Sequence, residues 1–398
     1  MRLRDQVEAT VRAWDAHEAA RGGRQVIDYD CAPPEHPVGP ASSRLEVFEQ
    51  LTAYQQQAQA DGDAAVERTV RAHLAYLGSV LGQRPELDDY MRATQGCGTA
   101  GWSEEYILEL AERARQALAD HGIGWNASTG DELHQLYGPI TIDEAGERVG
   151  EEAAKVEPIV RELTGTTAPF TVKIEVVDVD DYWSFWVDGA GTAARLRFNK
   201  RTASFTETRL RSFAQHELLG HALQCSSFSQ TGTTEDVPWV RTLTTHLPYQ
   251  SLLEGLATAW PMFTTPDDER LMTYQRVTHY THLVRAELHR AINAGHSVRE
   301  CADHARARVP WMSAREIGNL LSDRGTEPML RSYLWSYPAG TDWFMNLAEQ
   351  ADAPTIDKVL RTAYHHPLAP ADLAELWPAG PVIGGDGSPI TLRRPTTV

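Results

Sequence analysis

A short stretch of alternating apolar and polar residues interrupts a chain whose other segments follow the helical repeat. The alternation runs over residues 172–176, 183–187 and 195–199. A two-residue period is typical of β-strands that bury one face, so these segments predict a small antiparallel sheet of three strands. Residues 188–191, Asp-Gly-Ala-Gly, supply the positive-φ positions of a hairpin turn between the second and third strands.

The remaining pattern predicts helices on both sides of this sheet. Amphipathic runs precede it near 2–21, 43–60, 63–82, 103–121 and 142–164, and follow it at 206–228, 246–262, 267–294, 296–307, 312–323, 326–336, 340–350 and 354–365. The fold class is therefore α+β and predominantly α-helical. We expect a helical N-terminal region over 1–165 and a second region over 166–398, packed as one compact unit.

Composition excludes several classes of protein. The chain has 398 residues, 42% of them apolar, and carries 37 Lys and Arg against 55 Asp and Glu, with no basic block. Nucleic acid is therefore not an expected partner. No apolar run is long enough for a membrane span, the first residues are charged, and the four cysteines are widely spaced. These features predict a cytoplasmic protein with reduced thiols and no membrane partner; they leave the oligomeric state open.

Two histidines flank a glutamate in the helix that follows the sheet, at His216, Glu217 and His221. In the HExxH motif of zinc enzymes the histidines are four residues apart and face one side of an α-helix. Here they are five apart, which a regular α-helix separates by about 140° around its axis. Both imidazoles can bind one ion only if the segment contains a π-type distortion, which Gly220 makes inexpensive. Otherwise Glu217 and His221 form an ordinary side-chain pair.

A third candidate ligand lies about 30 residues further on. Glu254 is the single acid in the apolar helical segment 249–260. Burial of a carboxylate among such neighbours is costly unless something pairs with it, and a metal ion would do so. The alternative for Glu254 is a partly exposed surface acid. His216, His221 and Glu254 thus predict a site for one Zn²⁺ per chain, with a fourth position open for water.

These motifs resemble those of two families. His216-Glu217-x-x-x-His221 with Leu253-Glu254-Gly255-Leu256-Ala257 resembles the HExxxH and EGLA pair of the tyrosine carboxypeptidase family, which trims tubulin tails. From about 190 to 378 the chain also resembles a bacterial metallopeptidase-like family with HExxPGHxLQ and EGWA motifs. The resemblance implies a zincin-like catalytic core over 166–398, with the third ligand from a second helix, and a peptidase-like activity.

The bacterial family also has an arginine- and tyrosine-containing helix before a Pro-Gly step, to which Arg331–Gly340 corresponds here. An oxyanion needs a donor besides zinc, and Tyr333 and Tyr337 are the candidates. Arg331 or Arg285 is the candidate to bind a substrate carboxylate through a bidentate fork. Ordinary packing or solvation of each of these four side chains is the alternative.

The predicted function is that of a metallopeptidase or carboxypeptidase-like zinc hydrolase acting on a peptide or small amide. Glu217 would serve as general base toward a metal-bound water. Two histidines and one carboxylate are also the ligands of non-haem iron oxygenases, so an iron enzyme acting on a small molecule is an alternative. A non-catalytic metal-binding module is a second alternative, although it would not need Glu217.

Overall fold

The computed structural model describes residues 2–180, 183–235 and 241–394, most of which are helical. The predicted α+β class with predominant helix is confirmed. The helices before the main sheet are α1 (Leu3–Ala20), α2 (Arg44–Asp61), α3 (Ala64–Val80), α4 (Leu87–Thr94), α5 (Glu104–Ala119), α6 (Thr129–Leu136) and α7 (Ile142–Thr164). The strands are β1 (Tyr29–Asp30), β2 (Pro139–Ile140), β3 (Thr171–Val177), β4 (Phe185–Ala190), β5 (Ala193–Asn199), β6 (Phe205–Thr206) and β7 (Thr242–Leu243).

The second half of the chain is again helical. Its elements are α8 (Glu207–Ala214), a π-helix (Gln215–Leu223), α9 (Gln224–Thr234), α10 (Gln250–Thr264), α11 (Glu269–Asn293), α12 (Val298–Arg308), α13 (Ala314–Thr326), α14 (Pro328–Tyr333), α15 (Ser336–Gln350), α16 (Ala353–His365) and α17 (Pro370–Leu376). The sequence pattern missed α4, α6 and α17. They have eight, eight and seven residues, which is too few turns for a helical period to be recognised.

The main sheet is mixed, so the prediction of an antiparallel sheet is wrong. Its strand order is β3-β5-β4-β1-β7. β4 and β5 form the predicted antiparallel hairpin, but β3 and β5 are parallel, as are β1 and β4. Alternation of side chains indicates which face of a strand is buried and carries no information about its neighbour. The sequence pattern therefore predicted the strand β3 but not its parallel pairing with β5.

The hairpin turn also lies later than predicted. Asp188, Gly189 and Ala190 belong to β4 and pair with β5, and the chain turns at Gly191, whose φ is 59°. Gly189 has another role, because a Cβ there would lie 2.5 Å from the ring of Tyr29. This glycine permits the close approach of β1 to β4.

The N-terminal region contributes to the same sheet. Tyr29 of β1 pairs with Gly189 of β4 on one side and with Leu243 of β7 on the other. The hydrophobic core that contains Tyr29 extends to Ile383 near the end of the chain. A division of the chain at residue 165 stays a prediction, but the residues on either side of that point share both a sheet and a core.

Four phenylalanines pack together where β4, β5 and β6 meet α8, the helix that leads into the segment with the two histidines. The rings of Phe185, Phe198, Phe205 and Phe213 lie 4.6–5.9 Å apart, centroid to centroid. The Thr206 hydroxyl caps the start of α8 by accepting from the Arg209 N–H at 3.2 Å. Thr206 also pairs with Pro139 of β2, so the first turn of α8 is fixed to the separate two-stranded sheet of β2 and β6. In the described ranges, none of the helices combines the length and apolarity that crossing a bilayer requires.

Candidate metal centre

The segment that carries both histidines is a π-helix, as the five-residue spacing predicted. It spans Gln215–Leu223 and continues α8 without a break. Hydrogen bonds from residue i to i+5 place residues five apart on nearly the same side of such a helix. The rings of His216 and His221 accordingly lie 4.7 Å apart, and the distance between their Nε2 atoms is 3.1 Å. Both imidazoles therefore face one point.

Gly220 lets this helix approach α10 closely. A Cβ on Gly220 would lie 2.5 Å from the Cβ of Ala257 and 2.7 Å from its Cα. Ala257 stands three residues after Glu254, one turn along α10. The glycine was expected to ease the π-type distortion. In the structure it also removes the side chain that would separate the histidines from the third candidate ligand.

His216, Glu217 and His221 form a group that could hold a metal ion, with one ligand atom from each side chain lying within 4.8 Å of the others. Glu254 also lies close to both histidines. Its Oε2 atom lies 3.3 Å from Nε2 of His216 and 3.6 Å from Nε2 of His221. Ligand atoms around tetrahedral zinc, bound at about 2.0–2.1 Å, are separated by roughly 3.3–3.4 Å. The two nitrogens and the Glu254 oxygen have the spacing of three corners of such a tetrahedron.

The two oxygens of Glu254 have different surroundings. Oε1 accepts a hydrogen bond of 2.5 Å from the Tyr333 hydroxyl. Oε2 is buried and, among the described residues, has no hydrogen-bond partner. A buried carboxylate oxygen without a partner is costly. Its position between two histidine nitrogens fits a cation that would satisfy all three atoms.

Electrostatic interactions divide the two glutamates into different roles. Burial alone would raise the pKa of Glu254, but His221 and His216 outweigh it and hold that pKa well below its usual range. Burial also lowers the pKa of His221, and Glu254 reverses this shift. For Glu217 burial prevails over the attraction of the two histidines, so the pKa of its carboxyl is raised. Glu254 is thus held as the anion, while Glu217 holds a proton more readily than an ordinary glutamate does.

Tyr337 completes the side of the site away from the sheet. Its ring lies parallel to that of His216, with centroids 6.5 Å apart, and its hydroxyl is 3.0 Å from that of Tyr333. Burial, reinforced by the charge of Glu254, raises the pKa of both phenols well above its ordinary value. Both tyrosines therefore remain hydrogen-bond donors. The structure brings these two predicted residues together with the histidines and both glutamates.

A cavity of about 470 Å³ opens onto this centre. One wall is the start of β4, with Trp183, Phe185 and Trp186, and the others come from the π-helix, α10 and the α14–α15 junction. This volume is in the range of small-molecule sites. The aromatic side chains make this wall apolar, whereas the histidines and glutamates of the candidate metal centre supply polar groups to the cavity.

The two predicted substrate-binding arginines lie elsewhere. Arg331 Nε donates to Asn293 Oδ1 at 2.7 Å, and its Nη2 donates to the Pro85 carbonyl at 2.9 Å. Arg285 Nη2 donates to Glu316 Oε1 at 3.1 Å. Neither arginine is among the described residues that line the cavity. Their assignment to substrate stays a prediction without geometric support, because these contacts bind helices and a loop to one another.

Two acids at the cavity were missed by the sequence reasoning. Asp28, just before β1, and Asp323, in α13, both line it. Asp28 had a usable signal, because it is the one charged residue in the otherwise apolar run Val26-Ile27-Asp28-Tyr29. That is the same argument that selected Glu254. Asp323 stands in an ordinary amphipathic helix and gave no such signal.

Comparison with known proteins supports the fold alone. No protein-family model matches this chain. No curated protein matches it either. Among solved structures it is similar to the crystal structure of a "putative lipoprotein from Colwellia psychrerythraea", at 15% sequence identity and a TM-score of 0.53. The match covers 83% of this chain and 62% of that one, so the chain spans less than two thirds of its structural relative.

Proposed function

We propose that this protein is a zinc-dependent amide hydrolase in which His216, His221 and Glu254 hold the metal. The observation that carries the proposal is the set of three separations between ligand atoms, 3.1, 3.3 and 3.6 Å. Glu217 directly follows His216 in the π-helix, and its carboxylate lies within 4.8 Å of the histidine ligand atoms. We assign it to proton transfer because a carboxylate at this distance reaches a water beside the metal position without being needed as a ligand; burial also raises the pKa of its carboxyl.

Zinc at this position would polarise the scissile carbonyl and lower the pKa of a water molecule. The Glu217 carboxylate would take a proton from the attacking water, whose oxygen bonds to the carbonyl carbon, and would return that proton to the leaving nitrogen as the amide C–N bond breaks, giving a carboxylic acid and an amine. The Tyr337 hydroxyl, 3.0 Å from that of Tyr333, is a donor for the developing oxyanion. Tyr333 itself orients Glu254 through its hydrogen bond to Oε1.

The zincin-like core and the peptidase class remain part of this proposal. The supporting features are the histidine pair on a helix next to a sheet strand and a third ligand from the later helix α10. A carboxypeptidase preference has less support, since both predicted arginines are bound to other parts of the protein. We therefore propose amide hydrolysis without assigning a carboxyl-terminal specificity.

The test is Glu217→Gln, with Glu162→Gln on the exposed face of α7 as the matched control. Metal content is measured in protein purified without added metal and after reconstitution with zinc or with iron. Turnover is measured on dipeptides and aminoacyl para-nitroanilides. We expect one zinc per chain in all three proteins and a turnover of Glu217→Gln reduced by about a hundredfold or more.

Four outcomes would overturn this proposal. Loss of metal in Glu217→Gln would make that residue a ligand, and full activity would remove it from the reaction. Activity supported by iron alone would favour the oxygenase alternative. Failure of the His216→Ala, His221→Ala double variant to lower zinc binding would dismiss the metal centre itself.

A further inference from the structure

The cavity beside the metal centre is lined by four acids, and the basic side chains among its described lining residues are the histidines His216 and His221. Asp28, Glu217, Glu254 and Asp323 line it, whereas no lysine or arginine is found among its described lining residues. Glu217 and Glu254 are used by the proposed metal chemistry. Asp28 and Asp323 are not, and because burial raises the pKa of both carboxyls, each ionises most readily when a cation binds beside it.

Asp28 is held in place by the backbone of the sheet. Its N–H donates to the Leu243 carbonyl at 2.9 Å, and its carboxyl accepts from the N–H of Thr245. The remaining oxygen, Oδ2, is buried and has no hydrogen-bond partner among the residues that the structure describes. The side chain is thus fixed at the cavity wall with one acceptor atom unsatisfied.

Among the described residues, no cation near Asp28 is sufficient to keep its carboxyl ionised. Burial raises the pKa of its carboxyl to about 8, and the charges of Asp15 and Glu254 act in the same direction. Arg24 opposes the shift, but its guanidinium is bound to Glu327 at 3.0 Å. A buried carboxyl with no adequate partner is stabilised when a ligand brings a positive charge and a donor to it.

The aromatic wall fits the same kind of ligand. Trp183, Phe185 and Trp186 line the cavity together with Tyr29, the residue after Asp28. Aromatic faces stabilise ammonium groups and also bind the apolar parts of a substrate. A substrate carboxylate would instead meet four acids and no arginine within this space, which disfavours it.

We propose that the substrate of this site carries a protonated amine which binds Asp28, while its amide group lies at the metal centre. The proposal rests on the proposed amide hydrolysis and narrows it to cationic substrates. A free amino terminus and a basic side chain are the two sources of such an ammonium group.

Binding to metal-free protein tests Asp28 independently of hydrolysis. The probes are phenethylamine, hydrocinnamate and hydrocinnamamide, which share an aromatic ring and differ in charge, and the signal is tryptophan fluorescence supported by calorimetry. We expect the amine to bind most tightly. Asp28→Asn should weaken its binding by about tenfold or more and leave the neutral amide unchanged, because a charge-assisted hydrogen bond is lost.

Asp323→Asn is the control acid in the same cavity, and we expect it to change amine binding little. Equal binding of the three probes, tighter binding of hydrocinnamate, or a loss that follows Asp323→Asn and not Asp28→Asn would overturn the proposal.

Hydrolysis by the zinc-loaded enzyme separates this inference from the proposed function. Aminoacyl para-nitroanilides are compared with their N-acetyl derivatives, including N-acetyl-lysyl compounds. If acetylation abolishes turnover, the ammonium group that binds Asp28 is the substrate's amino terminus. If turnover is retained only for N-acetyl-lysyl compounds, that ammonium group belongs to a basic side chain. Hydrolysis that prefers neutral or acidic substrates would refute the inference and leave the hydrolase standing. Amine binding to Asp28 without hydrolysis of any of these compounds would refute the proposed hydrolase and leave the amine-binding role of Asp28.

Discussion

Replacement of Gly220 by alanine tests whether the contact between the π-helix and α10 sets the metal geometry. The added Cβ would lie 2.5 Å from the Cβ of Ala257, whereas ordinary carbon contacts begin near 3.4 Å. The two helices must therefore move apart by about 0.9 Å at this point, or the π-helix must change its path. Ala257 is on the turn after Glu254, so the displacement is transmitted to the third ligand.

The expected effect on the metal is larger than the effect on the fold. Metal–ligand distances tolerate roughly ±0.2 Å, which is several times less than this displacement. We expect zinc affinity to fall by about tenfold or more, in the range found when residues supporting a ligand are changed. Overpacking of a buried contact also costs about 1–3 kcal/mol of unfolding free energy.

Gly318→Ala is the matched control, because Gly318 is also helical but a Cβ there would meet nothing within 4 Å. Zinc affinity is measured by competition with a chromophoric chelator, and stability by thermal unfolding of the metal-free protein. The control should keep its zinc affinity and gain slightly in stability, since alanine favours helix. Wild-type zinc affinity in Gly220→Ala would refute the argument that this contact positions Glu254.

Three further outcomes are expected. Tyr333→Phe removes the donor to Glu254 Oε1 and should lower zinc affinity by about 10–100-fold while the protein remains folded by circular dichroism; unchanged affinity would contradict an orienting role. Gly255→Ala would place a Cβ 2.4 Å from the Gly340 carbonyl carbon, where α10 crosses α15. Because the clash is with backbone atoms, the melting temperature should fall more than in Gly220→Ala, and a melting temperature equal to or above that of Gly220→Ala would contradict this close contact. Burial raises the pKa of the Cys31 thiol to about 12, so titration with a thiol reagent at neutral pH should label it only after denaturation, and rapid labelling of the native protein would disagree with its burial.

The sequence was most informative where chemistry is local. The spacing of His216 and His221 allowed a shared ion only on a distorted helix, and the structure has a π-helix there. Glu254 could be selected because a lone carboxylate in an apolar helix needs a partner. In both cases the physical requirement involves neighbours within a few helical turns, which a sequence displays directly.

The sequence was least informative where distant segments meet. The two strands β1 and β7 have two residues each and show no pattern of their own, so neither they nor the neighbouring Asp28 could be placed in the sheet. The assignment of Arg331 to substrate had relied on its order along the chain next to Tyr333. These neighbours point in different directions: Tyr333 reaches Glu254, and Arg331 reaches Asn293.

The position of β1 has a consequence for how the cavity is built during folding. Tyr29 hydrogen-bonds to the carbonyl of Gly191, 162 residues further along the chain, and pairs with Leu243 beyond that. Pairing across such separations requires closure of very long loops, which is slow compared with formation of local helices. The β4–β5 hairpin and the π-helix can form from nearby residues, whereas the strand that brings Asp28 must be inserted between β4 and β7. We therefore expect the part of the cavity wall formed by Asp28 and β1 to assemble last. Its backbone amides should be the first of the sheet to lose protection in hydrogen exchange.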